Sequence, residues 1–129
     1  MNHDLAQFAE MIGVTTTHHR TGPKGWYSPS LRRISTRRGL SIADYRATLA
    51  HELGHAVYGD QHTGHGHFDQ KQERRADRFA AGLLVEPDAL EAACAFYGHD
   101  LAAIANDLDV TPHLIDVYLQ THPERTPTP

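Results

Sequence analysis

Residues 41–58 read SIADYRATLAHELGHAVY, and the rest of the chain is best understood outward from this stretch. Ser41 followed three residues later by Asp44 has the form of a helix start. Ala43, Ala47, Ala50, Gly54 and Val57 then recur at steps of three or four up to a stop at Gly59. Within this helix lies HELGH, with His51 and His55 four residues apart. Residues at that spacing stand one above the other on a single helical face. Both imidazoles can therefore bind one zinc ion, while Glu52, one step along, reaches an attacking water. The arrangement implies hydrolysis.

A catalytic zinc takes three protein ligands and keeps a fourth position open. The third candidate is Glu73, early on a second helix expected over residues 70–85. There Ala76, Phe79, Ala80, Leu83 and Leu84 share a face, and Lys71, Arg74, Arg75 and Arg78 lie off it. The polar segment 60–69, with Gly64, Gly66 and three histidines, reads as a loop. A connection of about ten residues lets the two helices pack antiparallel and returns Glu73 to the HELGH turn. Asp77, four residues on and on the same face, can accept the free ring N–H of a ligating histidine. His62 fits less well as a ligand. In the pattern HExxHxxGxxH the glycine and third histidine come one residue earlier than Gly59 and His62 stand here. An oxyanion donor is also needed, and Tyr58, His62, His65, His67 and Tyr97 are the candidates.

Around this centre the pattern is mixed. Leu5, Phe8, Ala9 and Ile12 give a short opening helix over residues 4–12. Residues 14–40, β-branched and punctuated by Gly22, Pro23 and Gly25, read as a small antiparallel sheet. Three short helices follow over 87–97, 100–108 and 112–120, the last after a Thr111 cap. Residues 100–120 have a helix-turn-helix look. The expectation is one α+β domain over residues 1–121, with a mobile proline-rich tail over 122–129. Arg32, Arg33, Arg37 and Arg38 cluster on the sheet. They read either as an edge that receives an extended peptide or as charge that protects such an edge. The tandem His18 and His19 point to opposite faces of a strand, which disfavours joint ligation.

Composition narrows the classes. The 129 residues are 40% hydrophobic and 22% charged, as in an ordinary globular chain. No apolar run approaches the ~20 residues of a bilayer span, and the first ten residues, MNHDLAQFAE, lack Lys and Arg. The single cysteine, Cys94, makes neither an internal disulfide nor a cysteine-based zinc cage, and it reads as a small buried apolar residue. A cytoplasmic setting is expected. Eleven histidines raise metal chemistry. Residues 1–85 carry eleven basic and eight acidic side chains, whereas residues 86–129 carry one basic and eight acidic. Phosphate contacts drive most nucleic-acid affinity, so the helix-turn-helix-like segment should repel DNA.

HELGH followed by Glu73-Arg-Arg-Ala-Asp77-Arg-Phe-Ala80-Ala-Gly-Leu-Leu resembles the ImmA/IrrE zinc metallopeptidases, with their HExxH and downstream E-x-x-A-(N/D)-x-F-A-x-x-L-L. Val85-Glu86-Pro87 stands where the family usually has Met-Pro. The resemblance implies a zincin-like fold, one zinc ion held by His51, His55 and Glu73, Glu52 as general base, and a helix-turn-helix repressor as substrate. The resulting expectation is a zinc-dependent endopeptidase acting on a protein. Its rivals are a catalytically weak zinc-bound module that inactivates a regulator by binding, and a DNA-binding regulator.

Overall fold

The computed structural model describes residues 2–61 and 66–123. In chain order these form α1 (Asn2–Met11), β1 (Thr15–His19), β2 (Gly25–Ser28), β3 (Arg33–Arg37), α2 (Ile42–Tyr58), α3 (Gly66–Leu84), α4 (Pro87–Tyr97), α5 (Leu101–Leu108) and α6 (Pro112–Thr121). The α+β architecture is the expected one. Residues 124–129 of the expected tail lie outside the described residues.

The sheet differs from expectation in one respect: its order is β1-β3-β2, with β3 antiparallel to β2 but parallel to β1. Alternating strand directions give β1 and β3 the same sense, and β1 adds to the far side of β3 instead of pairing with its neighbour in sequence. This makes β3 the central strand, and Ile34, Ser35 and Thr36 are all buried. Consecutive burial means that both faces are covered. On one of them, Ser35 hydrogen-bonds the ring of His19 (2.7 Å), which stacks with Trp26. Pairing on the far side of β3 also leaves the other edge of β2, next to α2, without a strand partner among the described residues.

Ser41 caps α2 by accepting from the Asp44 N–H (3.1 Å), and Gly59 ends it in the left-handed region at φ 66°. Leu49, Ala50, Leu53, Gly54 and Ala56 form its buried face. α3 begins at Gly66, a turn earlier than the polar composition suggests. Asp69 falls in its first turn, where a carboxylate offsets the helix dipole. A Cβ on Gly54 would sit 3.1 Å from the Cα of Ala76 and 3.2 Å from Phe79. Two small residues thus let α2 and α3 approach closely, with Ala76 fully buried between Glu73 and Asp77 in sequence. α6 lies on α3 through the core to which Leu114, Ile115 and Tyr118 belong. Arg46 of α2 donates to the carbonyls of Leu108 and Asp109, clamping the turn between α5 and α6.

Candidate metal centre and cleft

The close contact of α2 and α3 brings three donors together: nitrogen atoms of His51 and His55 and a carboxylate oxygen of Glu73 lie within 4.8 Å of one another. Each imidazole is fixed from behind. His51 donates from Nδ1 to Asp77 (2.7 Å), and His55 donates from Nδ1 to Asp60 (3.0 Å). With Nδ1 committed as a donor on both rings, both Nε2 atoms turn inward. Nε2 of His51 lies 3.1 Å from one oxygen of Glu73, and Nε2 of His55 lies 2.5 Å from the other.

Neutral imidazoles in that tautomer present lone pairs at Nε2, and a carboxylate oxygen can only accept. Acceptors facing at such distances need a proton or a cation between them. Without a metal the proton takes that role at His51. Burial lowers its pKa, but the hydrogen bond to Asp77 and the charges of Glu52, Glu73 and Asp77 outweigh this and carry it from 6.5 to about 9. Two imidazoles, one carboxylate and carboxylate partners on the outer nitrogens also match what a divalent zinc-like ion takes.

Asp60 is nearly buried and accepts on its second oxygen from Arg75 (2.5 Å), whose guanidinium lies 4.2 Å over the ring of Tyr58. Asp77 accepts on its second oxygen from Nε2 of His113 (2.9 Å). Burial works against the Asp77 charge, but the hydrogen bonds from His51 and His113 hold its carboxyl below the ordinary range.

Glu52 sits where two cavities meet. One, of about 330 Å³, lies on the His55 side and is lined by Trp26, Tyr27, Gln72 and Glu73 among others. The second, of about 630 Å³, lies on the His51 side and is lined by Lys24, Thr48, Asp77 and His113 among others. Glu52 and Gly25 line both. β2 passes so close here that a Cβ on Gly25 would come within 2.4 Å of Thr48 Cγ2 and 3.4 Å of Glu52. Burial pushes the Glu52 carboxyl above its ordinary range, with the charges of His51 and His55 opposing it.

A paired-histidine helix, a crossing helix with a third donor, and a strand edge over the intervening glutamate form the frame of a metallopeptidase. Comparison by sequence agrees: the family model Peptidase_M78, described as the IrrE N-terminal-like domain, matches residues 3–120. The chain belongs to that family. No curated protein matches it in sequence. Peptidase_M78 is a metallopeptidase family, and the match takes in the helix-turn-helix-like region along with the HELGH helix.

The other residues singled out from the sequence of this Peptidase_M78 chain are placed variously. Tyr58 packs edge-on against Phe79 and beneath Arg75, and Tyr97 packs against Phe96 and the core from α4; neither lines the cavities beside Glu52. His62 and His65 lie outside the described residues, and His67 is described only by its backbone, in the first turn of α3.

The arginine cluster does not form an open sheet edge, because Arg33 and Arg37 belong to the central strand. Arg32, at φ 50°, donates to Tyr27 and to the carbonyl of Ile12, and Arg37 donates to the carbonyl of Gly22. Arg38, past the end of β3, donates its backbone N–H to the carbonyl of His19. The edge beside the cleft is β2. His18 and His19 bond separately, to Thr36 and to Ser35.

Asp60, His113 and the close approach at Gly25 escaped the sequence reading. Asp60 had a signal, since the residue after a left-handed helix cap folds back on the last turn, and its N–H indeed bonds the His55 carbonyl (2.9 Å). His113 lies 36 residues from Asp77, and no local pattern connects them.

Proposed function

We propose that this chain is a zinc-dependent endopeptidase of the gluzincin type that cleaves a helix-turn-helix repressor. The observation that carries the reading is the position of Glu52, beside the three donors and at the meeting point of cavities extending to both sides. A cleft open in both directions accommodates the middle of a polypeptide, which favours internal cleavage over trimming of an end. The outer edge of β2, without a strand partner among the described residues, offers backbone donors and acceptors to an extended peptide.

His51, His55 and Glu73 would hold the ion, which when bound would polarise the scissile carbonyl and ease deprotonation of water. Glu52 takes the proton from the attacking water and delivers it to the leaving nitrogen. Its raised pKa suits both halves of that transfer. Asp77 and Asp60 keep both imidazoles in the tautomer that leaves Nε2 free.

The substrate class follows from the family resemblance in HELGH and the Glu73–Leu84 block. The proposed setting is the cytoplasm, with no membrane or nucleic acid as partner. Among the described residues no helix is long and apolar enough to cross a membrane, and α6 carries neither Lys nor Arg. The test is to incubate zinc-loaded protein with the helix-turn-helix regulator encoded beside its gene and read the products by mass. Defined fragments from the wild type, and none from Glu52→Gln with its zinc retained, are expected. Equal inactivation of the regulator by Glu52→Gln would replace hydrolysis with sequestration. Tight, sequence-selective DNA binding in a mobility shift at moderate salt would restore the regulator reading.

A further inference from the structure

Asp77 accepts two imidazole N–H groups, from His51 on Oδ1 (2.7 Å) and from His113 on Oδ2 (2.9 Å). A carboxylate held through one oxygen can still rotate about its terminal torsion. Held through both, its plane is fixed, and with it the direction in which the His51 ring is presented. His113 is itself well anchored. It is the second residue of α6, after the Thr111 cap, whose Oγ1 accepts from Leu114 N–H (3.3 Å), and after Pro112 with its fixed φ. Leu114 and Ile115, which follow it, are buried, and the turn before it is clamped by Arg46. The imidazole is nevertheless largely exposed, with 64% of its side chain accessible, and it lines the cavity on the His51 side.

We propose that His113 is a positioning residue: through Asp77 it sets the His51 imidazole for metal binding and so ties the metal centre to the helix-turn-helix-like end of the domain. The proposal rests on the metal-centre reading but not on catalysis or on the repressor. His113 does not ligate the ion. Its contribution is to hold the carboxylate behind a ligand, and removing such outer partners typically weakens metal binding by about 10- to 100-fold. A residue one hydrogen bond further out belongs at the lower end of that range.

The test is zinc affinity, measured by competition with a chromophoric chelator, alongside thermal unfolding of the metal-free proteins. His113→Ala should bind zinc about tenfold more weakly than wild type, with metal-free unfolding lowered only slightly, since the hydrogen bond to Asp77 that is lost is made by a largely exposed side chain. His113→Gln, which keeps an N–H donor, should recover most of the loss. In an Asp77→Ala background, His113→Ala should cost nothing further, since its partner is already gone. Wild-type affinity in His113→Ala would overturn the proposal and leave the metal centre standing. Losses that multiply in the double variant, or that track destabilisation of the metal-free protein, would overturn it as well. Absence of zinc binding in the wild type would remove both the proposal and the metal-centre reading.

Discussion

Each histidine on the HELGH face is governed by a carboxylate that is not a ligand. Asp60 is the more deeply set, holding His55 on one oxygen and Arg75 on the other. Asp60→Ala removes both partners at once and leaves the Arg75 guanidinium, half exposed, without its counter-charge. A fully buried pair broken this way costs about 3–5 kcal/mol, and the exposure of Arg75 brings the expectation to about 2 kcal/mol. Urea unfolding of the metal-free variant measures this, and zinc affinity should fall by about 10- to 100-fold in parallel. Glu52→Gln should behave oppositely, with stability and zinc content kept and turnover lowered by about 10²- to 10⁴-fold. Steady-state kinetics with metal analysis on the same sample separates the two kinds of residue.

At the scale of elements, the site depends on two close approaches made possible by glycine. Gly54 lets α3 lie against α2, and Gly25 lets β2 pass over Glu52. Gly25→Ala places a methyl 2.4 Å from Thr48 Cγ2, and a β-branched side chain has little freedom to move away. Overpacking of this kind costs about 1–3 kcal/mol, and displacement of β2 from the cleft should reduce turnover as well. Thr48→Ser in the same chain removes the offending methyl and should restore both; chemical denaturation and peptidase assays on the single and double variants would show it.

The helices and their caps were legible in sequence because they are local: Ser41, Gly59 and Thr111 mark ends that nearest neighbours determine. Strand order was not legible, since the pairing of β1 with the far side of β3 depends on how the whole sheet meets α2. The arginines misled for the same reason. Their spacing says strand, but only the partners of β3 decide whether that strand is an edge.

Over the whole molecule, a proton and a metal ion held by His51, His55 and Glu73 would compete for the same space. In the metal-free protein His51 titrates at about 9, against an ordinary value of 6.5. The folded form therefore binds a proton more tightly than the unfolded chain does. This stabilisation is complete below about 6.5 and is lost as pH rises through 9, a change on the order of 3 kcal/mol. The urea midpoint of metal-free protein should fall across that window and stay flat in His51→Gln. A zinc ion bound by His51 would displace the same proton, so affinity should rise about tenfold per pH unit below 9; calorimetric titration in buffers of different ionisation heat would count the proton released.

Much of the centre could be read in the chain because HELGH is helical and Glu73 and Asp77 share a helical period. What remained hidden, Asp60 behind His55 and His113 behind Asp77, comes from chain reversal and from the docking of α6, which no local spacing encodes.

The most direct measurement is anomalous diffraction at the zinc edge from crystals grown with the metal. The expected result is one ion per chain, about 2.0–2.2 Å from Nε2 of His51, Nε2 of His55 and a carboxylate oxygen of Glu73, with Glu52 close by but not bound to it. An ion held elsewhere, or one bound to the two imidazoles with Glu73 turned into solvent, would contradict the account.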